Sequence, residues 1–247
     1  MLTYAGEVYV EKAKKILITK EELDHELKDI IKSNVGILKV AFPVMRGTYM
    51  LSCTLPVFYD NYPNMKLDIV EADSDLLEAM ILNGETDLAF FNLPIRNANI
   101  DYEVIKHEEI LLVLSQNHPL AEMGQMREGY QYLWMNLNLI KDEKIILQTK
   151  SQRTRRIIDD LFSAYNIEPN IALVTRNISA SAMLAARGYG ACFVCETHLK
   201  HITFDKKPLF FSVGKNKTTV DFVAAFRKNT YLPFHAKEYI KIVKDFT

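Results

Sequence analysis

The chain has 247 residues, enough for one large domain or two small ones, and its apolar share of 49% and charged share of 25% sit at globular averages. A formal net charge of −1 disfavours a surface that grips nucleic acid along its whole length, which needs a clear basic excess. The 3 cysteines (Cys53, Cys192, Cys195) are too few for a disulfide scaffold and suit a reducing compartment. No apolar run is long enough to span a membrane and no basic-then-apolar leader opens the sequence, so a soluble cytoplasmic protein without a membrane partner is expected.

Residues 1–33 contain no proline and a single glycine, Gly6. Tyr9, Ala13, Ile16, Leu23, Leu27 and Ile30, with Lys20 in the one polar slot, follow one another at alternating spacings of four and three. That is the seam of a long helix that packs on another helix. Thr19-Lys20-Glu21-Glu22 has the form of a capping box and predicts either a kink or a second helix start there.

After Asn34 the pattern changes. Gly36 to Phe42 reads as a strand closed by Pro43, and a helix is expected from about Tyr49 to Asn61, with Pro56 marking its first turn proper. Lys66 to Glu71 alternates as a second strand, and Asp75 to Asn83 has helical spacing that stops at Gly84. Asp87 to Phe91 is nearly continuous and apolar, as in a strand buried on both faces. A similar unit follows: Lys144 to Leu147 strand, Gln152 to Tyr165 helix, Ile171 to Val174 strand, Ile178 to Arg187 helix, Ala191 to Val194 strand. Thr219 to Arg227 and Leu232 to Phe246 read as strand plus helix. Alternating strands and helices predict parallel sheets with right-handed crossovers, in two lobes joined near Ile110–Gln116 and Leu209–Lys215. The expected division is a linker and dimerisation helix over 1–34, a first subdomain over 35–112 and 214–247, and a second over 113–213. Ligands in open α/β sheets sit beyond the carboxyl ends of the strands, so a cleft between two such lobes is the expected ligand site.

Several segments resemble the LysR-type transcription regulators. Leu2-Thr3-Tyr4-Ala5-Gly6, followed by Ala13 and Ile16-Leu17, is similar to the junction where the family's winged helix-turn-helix gives way to its linker helix. Gly36 to Ala41 resembles the first strand of its sensing domain, and Leu55-Pro56, Phe58 and Tyr62-Pro63 the helix behind it. Asn83-Gly84-Glu85-Thr86-Asp87-Leu88-Ala89 and His118-Pro119-Leu120 fall in the expected order, so the resemblance runs from residue 1 to residue 247. It implies a linker helix followed by a two-lobed effector domain of the type 2 periplasmic-binding-protein-like α/β fold, with the winged helix-turn-helix missing. It also implies a small effector in the interlobe cleft, self-association as a homodimer or homotetramer, and promoter DNA reached only through the absent domain.

The loop after the first strand is where such domains touch their effector. Here Val44 and Met45 make it apolar, while Arg46 is able to grip a carboxylate bidentately, and Thr48 follows. An anionic effector with an apolar body is the expectation; the alternative is an Arg46 that points into water. The resemblance places Ser74 at a hydroxyl position after the second strand and Asn92 just past the third. In the second lobe Thr149, Ser151 and Arg153 open a helix with a capping-box pattern whose free N–H groups attract anions, the alternative being an ordinary capped helix, and Asn177 is a weaker candidate at the start of the next. Arg155 and Arg156 are expected to be solvated. Cys192-Phe193-Val194-Cys195 lies on a strand, where residues three apart face opposite ways, so a redox pair is disfavoured and Cys195 is kept as a pocket residue. The adjoining His198 and His201 do not separate two ligand pairs by a long loop as zinc sites do, and neither metal nor cofactor is expected. There is no G-x-S-x-G, no phosphate loop and no H-E-x-x-H, so no catalytic group is assigned. A free-standing solute-binding protein of the same two-lobed fold is the alternative, and it offers no reason for the seam-bearing helix.

Overall fold

The computed structural model describes residues 2–30 and 35–247, with side chains omitted for 28–30. Ile30 of the seam and the expected end of the linker at 34 therefore lie outside the described side chains and residues. The first elements are α1 (Tyr4–Ile30), β1 (Gly36–Phe42), α2 (Val44–Asn61), β2 (Met65–Glu71), α3 (Ser74–Leu82), β3 (Leu88–Asn92) and β4 (Ile100–Ser115). There follow β5 (Leu133–Trp134), β6 (Lys144–Gln148), α4 (Arg153–Ala164), β7 (Asn170–Thr175), α5 (Ile178–Ala186), β8 (Ala191–Cys195) and α6 (Glu196–Lys200). The last are β9 (Pro208–Ser212), β10 (Thr219–Arg227) and α7 (Phe234–Asp245). No described helix is long and apolar enough to cross a membrane.

The chain divides into two compact units. Unit 1 comprises Met1–Phe91, Ile95–Ile105 and Val223–Thr247; unit 2 comprises Asn92–Pro94 and Lys106–Phe222. The divisions between the units fall inside β4 at 105/106 and inside β10 at 222/223, and α1 belongs to unit 1.

In unit 1 the strand order is β2-β1-β3-β10-β4. β1 runs parallel to β2 in register from Gly36↔Met65 to Phe42↔Glu71, and parallel to β3 at Val40↔Leu88 and Ala41↔Ala89. Aromatic rings fill the space between sheet and helices. Phe42 stacks on Phe90 at 5.0 Å, and Tyr239 of α7 sets its edge against Phe58 at 5.4 Å and Phe90 at 5.9 Å. The Tyr239 hydroxyl meets the Thr54 hydroxyl at 2.8 Å, and burial pushes its pKa up to about 12.

In unit 2 the order is β4-β8-β6-β7, with β9 on β4 and β5 on β9. β6 is parallel to β7 and β8, while β4 is antiparallel to β8 and β9. Ile110, Leu112, Ile145, Leu147 and Phe193 form one sheet face, and Phe162 of α4 meets Phe193 edge-on at 5.5 Å.

The structure departs from the sequence expectation in three places. Residues 44–48, expected as a loop, are the first turn of α2: Pro43, extended at φ −62° and ψ 137°, is its N-cap, and Pro56 lies well inside the helix. Arg46, Gly47, Tyr49 and Met50 are buried, so the inward face of the helix already runs through this segment. Second, α1 continues unbroken past Thr19, whose hydroxyl bonds back to the Lys15 carbonyl at 3.0 Å instead of capping a new helix. Third, the 16-residue β4 departs from expectation, because its one long continuous apolar run is Ile110 to Leu114 and its first half is broken by Asp101, Glu103, Lys106 and His107.

Gly190, the residue before β8, has no room for a side chain: a Cβ there would lie 2.6 Å from the Lys144 carbonyl oxygen of β6. Gly190→Ala must push apart two paired strands and is expected to cost about 1–3 kcal/mol, read as a lower urea midpoint. An unchanged midpoint would mean that β6 and β8 separate there without penalty.

Candidate functional site

In unit 1 the singled-out residues lie at the carboxyl ends of β1 and β2. Val44 is 50% exposed, Met45 and Ser74 are half-buried and Thr48 is exposed, its hydroxyl bonded to the Val44 carbonyl at 3.1 Å. Arg46 behaves otherwise. It is 2% exposed, and its guanidinium donates to the Tyr49 hydroxyl at 2.9 Å, so it belongs to the interior of unit 1 rather than to an outward loop or to water. A neighbour unremarked in the sequence, Glu71, closes β2. A Cβ on Gly47 would fall 2.2 Å from its Oε1, so the missing side chain at 47 admits a carboxylate beside the first turn of α2. That turn carries no acidic residue of its own, and its N–H groups favour negative charge.

In unit 2 the structure brings Asn92, Arg153 and Cys195 together. All three are buried; Arg153 Nη1 donates to the Asn92 carbonyl at 2.6 Å, and Asn92 Nδ2 lies 3.7 Å from Cys195 Sγ. Arg155, expected to be solvated, is 5% exposed. Its Nη1 donates to the Gln148 carbonyl at 2.6 Å and its Nε to Asp159 at 2.7 Å. The first turn of α4 therefore sends one arginine to the last carbonyl of β3 and another to the last carbonyl of β6. Gln152, not a hydroxyl residue, is the N-cap of α4; Thr149 and Ser151 bond to one another at 3.1 Å. Asn177 is exposed and caps α5 by accepting from the Ala180 N–H at 2.9 Å.

Other buried polar groups gather on unit 2. Gln148 ends β6 and donates from Nε2 to the Phe193 carbonyl at 2.8 Å, while its Oε1 has no hydrogen-bond partner among the described residues. Thr197, two residues past β8 and 1% exposed, has a hydroxyl in the same condition. Glu109 on β4 is 7% exposed. Burial raises its carboxyl pKa, the Ser212 hydroxyl and Lys217 oppose that, and Glu196 adds to it. The two cysteines of β8 diverge as strand geometry requires: Cys195 joins the core cluster with Phe162, whereas Cys192 interacts with Ser181 of α5, and burial pushes its thiol up to about 12. Among the described residues no group of three or more His, Cys, Asp and Glu is placed to hold a metal ion.

A family model described as "LysR substrate binding domain" matches residues 32–247. The HTH-type transcriptional regulator YcgK of Bacillus subtilis is 23% identical over 255 residues, spanning 99% of this chain and 77% of that protein. A probable RuBisCO transcriptional regulator of Trieres chinensis is 25% identical over 205 residues, and the match spans 81% of this chain but 64% of that regulator. Among solved structures, the effector-binding domain of QuiR in complex with shikimate matches with TM-score 0.68 at 20% identity, over 86% of this chain and 97% of that one. The BenM effector-binding domain with its effector benzoate gives 0.70 at 18% identity over 85% and 91%. HinK of Pseudomonas aeruginosa, a LysR family regulator, gives 0.72 at 20% identity over 99% and 80%. These likenesses establish the two-unit α/β effector-domain fold.

Glu109 offers a test of the polar cluster. A carboxyl whose pKa is raised by folding stabilises fully below its unfolded value and loses that contribution as pH rises through the folded value. Glu109→Gln is therefore expected to raise the unfolding midpoint at pH 7.5, with the gain shrinking to nothing near about pH 4. A variant less stable at pH 7.5 would show that the charged form is well paired.

Proposed function

Because this chain belongs to the LysR substrate-binding-domain family, we propose that it is the effector-sensing and oligomerisation portion of a LysR-type transcription regulator, a binding module rather than a catalyst. One observation carries the reading. At the carboxyl ends of the parallel strands β6 and β8, unit 2 collects Gln148, Cys195 and Thr197, with Asn92 and Arg153 beside them. Open α/β sheets bind ligands at that end. A buried acceptor or hydroxyl without a partner costs about 1–3 kcal/mol, and the polar groups of an effector would meet Gln148 Oε1 and Thr197 Oγ1. The buried guanidinium of Arg153 favours a negative charge nearby. The effector class is accordingly a small organic acid; shikimate and benzoate, held by QuiR and BenM, are both carboxylates. In unit 1, Val44, Met45, Thr48 and Ser74, at the ends of β1 and β2, remain candidate effector-binding residues of that unit, with Arg46 buried beneath the first turn of α2.

In this reading two copies pair through the seam of α1, where Tyr9, Ile16, Leu23 and Leu27 are exposed by 73%, 70%, 53% and 47%. DNA contact belongs to a helix-turn-helix domain outside these 247 residues, and the regulator works in the cytoplasm.

A thermal-unfolding screen against organic acids, amino acids and simple anions tests the sensor reading. An acid at about 100 times its dissociation constant stabilises the native state by roughly 2.7 kcal/mol, a rise of several degrees for a chain of this size. Thr197→Val should weaken that acid about tenfold. Silence across the acids would overturn the effector class, and undiminished affinity in the variant would remove Thr197 from the site. Separately, Leu23→Glu together with Leu27→Glu should shift the chain towards monomer in sedimentation; a parent that is already monomeric at high concentration defeats the pairing role of α1.

A further inference from the structure

The helix α1 has two working faces. From residue 7 onward the only half-buried positions described on it are Ala13, Ile18, Glu21, Glu22 and His25. The last four recur at the spacing of one helix face, and at about 100° per residue they centre roughly 170° around the helix from the seam of Tyr9, Ala13, Ile16, Lys20, Leu23 and Leu27. Unit 1 meets this second face with charge. Lys39 Nζ of β1 donates to Glu21 at 2.6 Å, and Arg227, the last residue of β10, pairs with Glu22. All four side chains are partly shielded from water. Burial disfavours charge on Lys39, yet Glu21, followed by Asp87 and Asp68, raises its pKa above the ordinary lysine value, so Lys39 keeps its positive charge.

Backbone geometry fits the same contact. Gly84 turns out of α3 at φ +69°, and a Cβ there would lie 2.9 Å from Ile18 Cγ1. Asp87, behind Lys39, accepts the Lys39 backbone N–H at 2.8 Å, and the Thr86 hydroxyl donates to the Lys39 carbonyl at 3.0 Å, which holds the receiving strand in place. The cavity left between Ile18, His25 and Asp87 measures about 40 Å³, far below what a metabolite needs, so the face is an internal contact and not a ligand pocket.

We propose that Glu21–Lys39 and Glu22–Arg227 form a two-point latch that fixes the rotation of α1 about its own axis, so that its apolar seam is presented away from unit 1 to the helix of a second copy. The inference depends on the proposed function only for the identity of that partner helix. A seam fixed in rotation is pre-organised for pairing; a loosened helix must recover that orientation each time.

The test compares the parent chain with Glu21→Gln/Glu22→Gln and with the charge swap Glu22→Arg/Arg227→Glu. Amide hydrogen exchange is read over residues 15–26, and self-association by sedimentation. The expected result is exchange about tenfold faster and self-association several-fold weaker in the double Gln variant, both restored towards parent in the swap, with exchange in unit 2 unchanged. Unchanged exchange over 15–26, faster exchange with unchanged self-association, or a swap that restores neither would each overturn the latch. Failure of the acid screen alongside the tenfold response would sink the effector reading and leave the latch standing. The reverse pattern would sink the latch and leave the effector reading intact.

Discussion

β3 and β8 are buried along their whole length, and a strand covered on both faces has room for polar chemistry only at its ends. Apolar runs such as Leu88 to Phe91 and Ala191 to Val194 satisfy their backbone in the ladder and their side chains in the core. The ladder stops at Asn92, Gln148 and Cys195, and there the polar residues collect. Arg153 and Arg155 answer the terminal carbonyls of β3 and β6 with charged donors, a stronger partner than water for a buried carbonyl.

The same division between apolar interior and charged margin governs α1. Its acidic and basic residues look from composition alone like one solvated surface. They are two populations. Glu11–Lys15 and Lys20–Asp24 are exposed pairs within the helix, whereas Glu21 and Glu22 reach across to β1 and β10. Exposed pairs one turn apart contribute little, while pairs that join separate elements carry information about how those elements are set.

This contrast explains what could be read in advance. Elements with a single dominant period were legible: β1, β3, β8 and β10 from their apolar runs, and α1 from its alternating spacings. The opposed faces of Cys192 and Cys195 followed from strand geometry alone. β4 escaped because its first half is polar. Arg155 is buried against expectation, since an arginine on a helix with an acid one turn on ordinarily forms an exposed pair and the carbonyl of Gln148 that draws it inward has no mark in the sequence. The carbonyl that Arg155 reaches precedes it by seven positions, and the one Arg153 reaches by 61. Gln148, Thr197 and Glu109 carry no motif, and only the folded chain shows them buried. Asn92, Arg153 and Cys195 were each named separately, and their meeting is a property of the fold.

Unit 2 is nearly continuous in the chain, residues 106–222 with a three-residue addition at 92–94, whereas unit 1 is assembled from pieces at both ends. The Thr54–Tyr239 bond in its aromatic core closes a separation of 185 positions. Local contacts form early and distant ones late, so the two units differ in when they are able to fold. During synthesis the chain completes all the residues of unit 2 while the second half of β10 and α7, which belong to unit 1, are still to be made. For that interval Phe58 and Phe90 lack the ring that covers them, and the nascent chain carries one completed unit and an open, aromatic half-core.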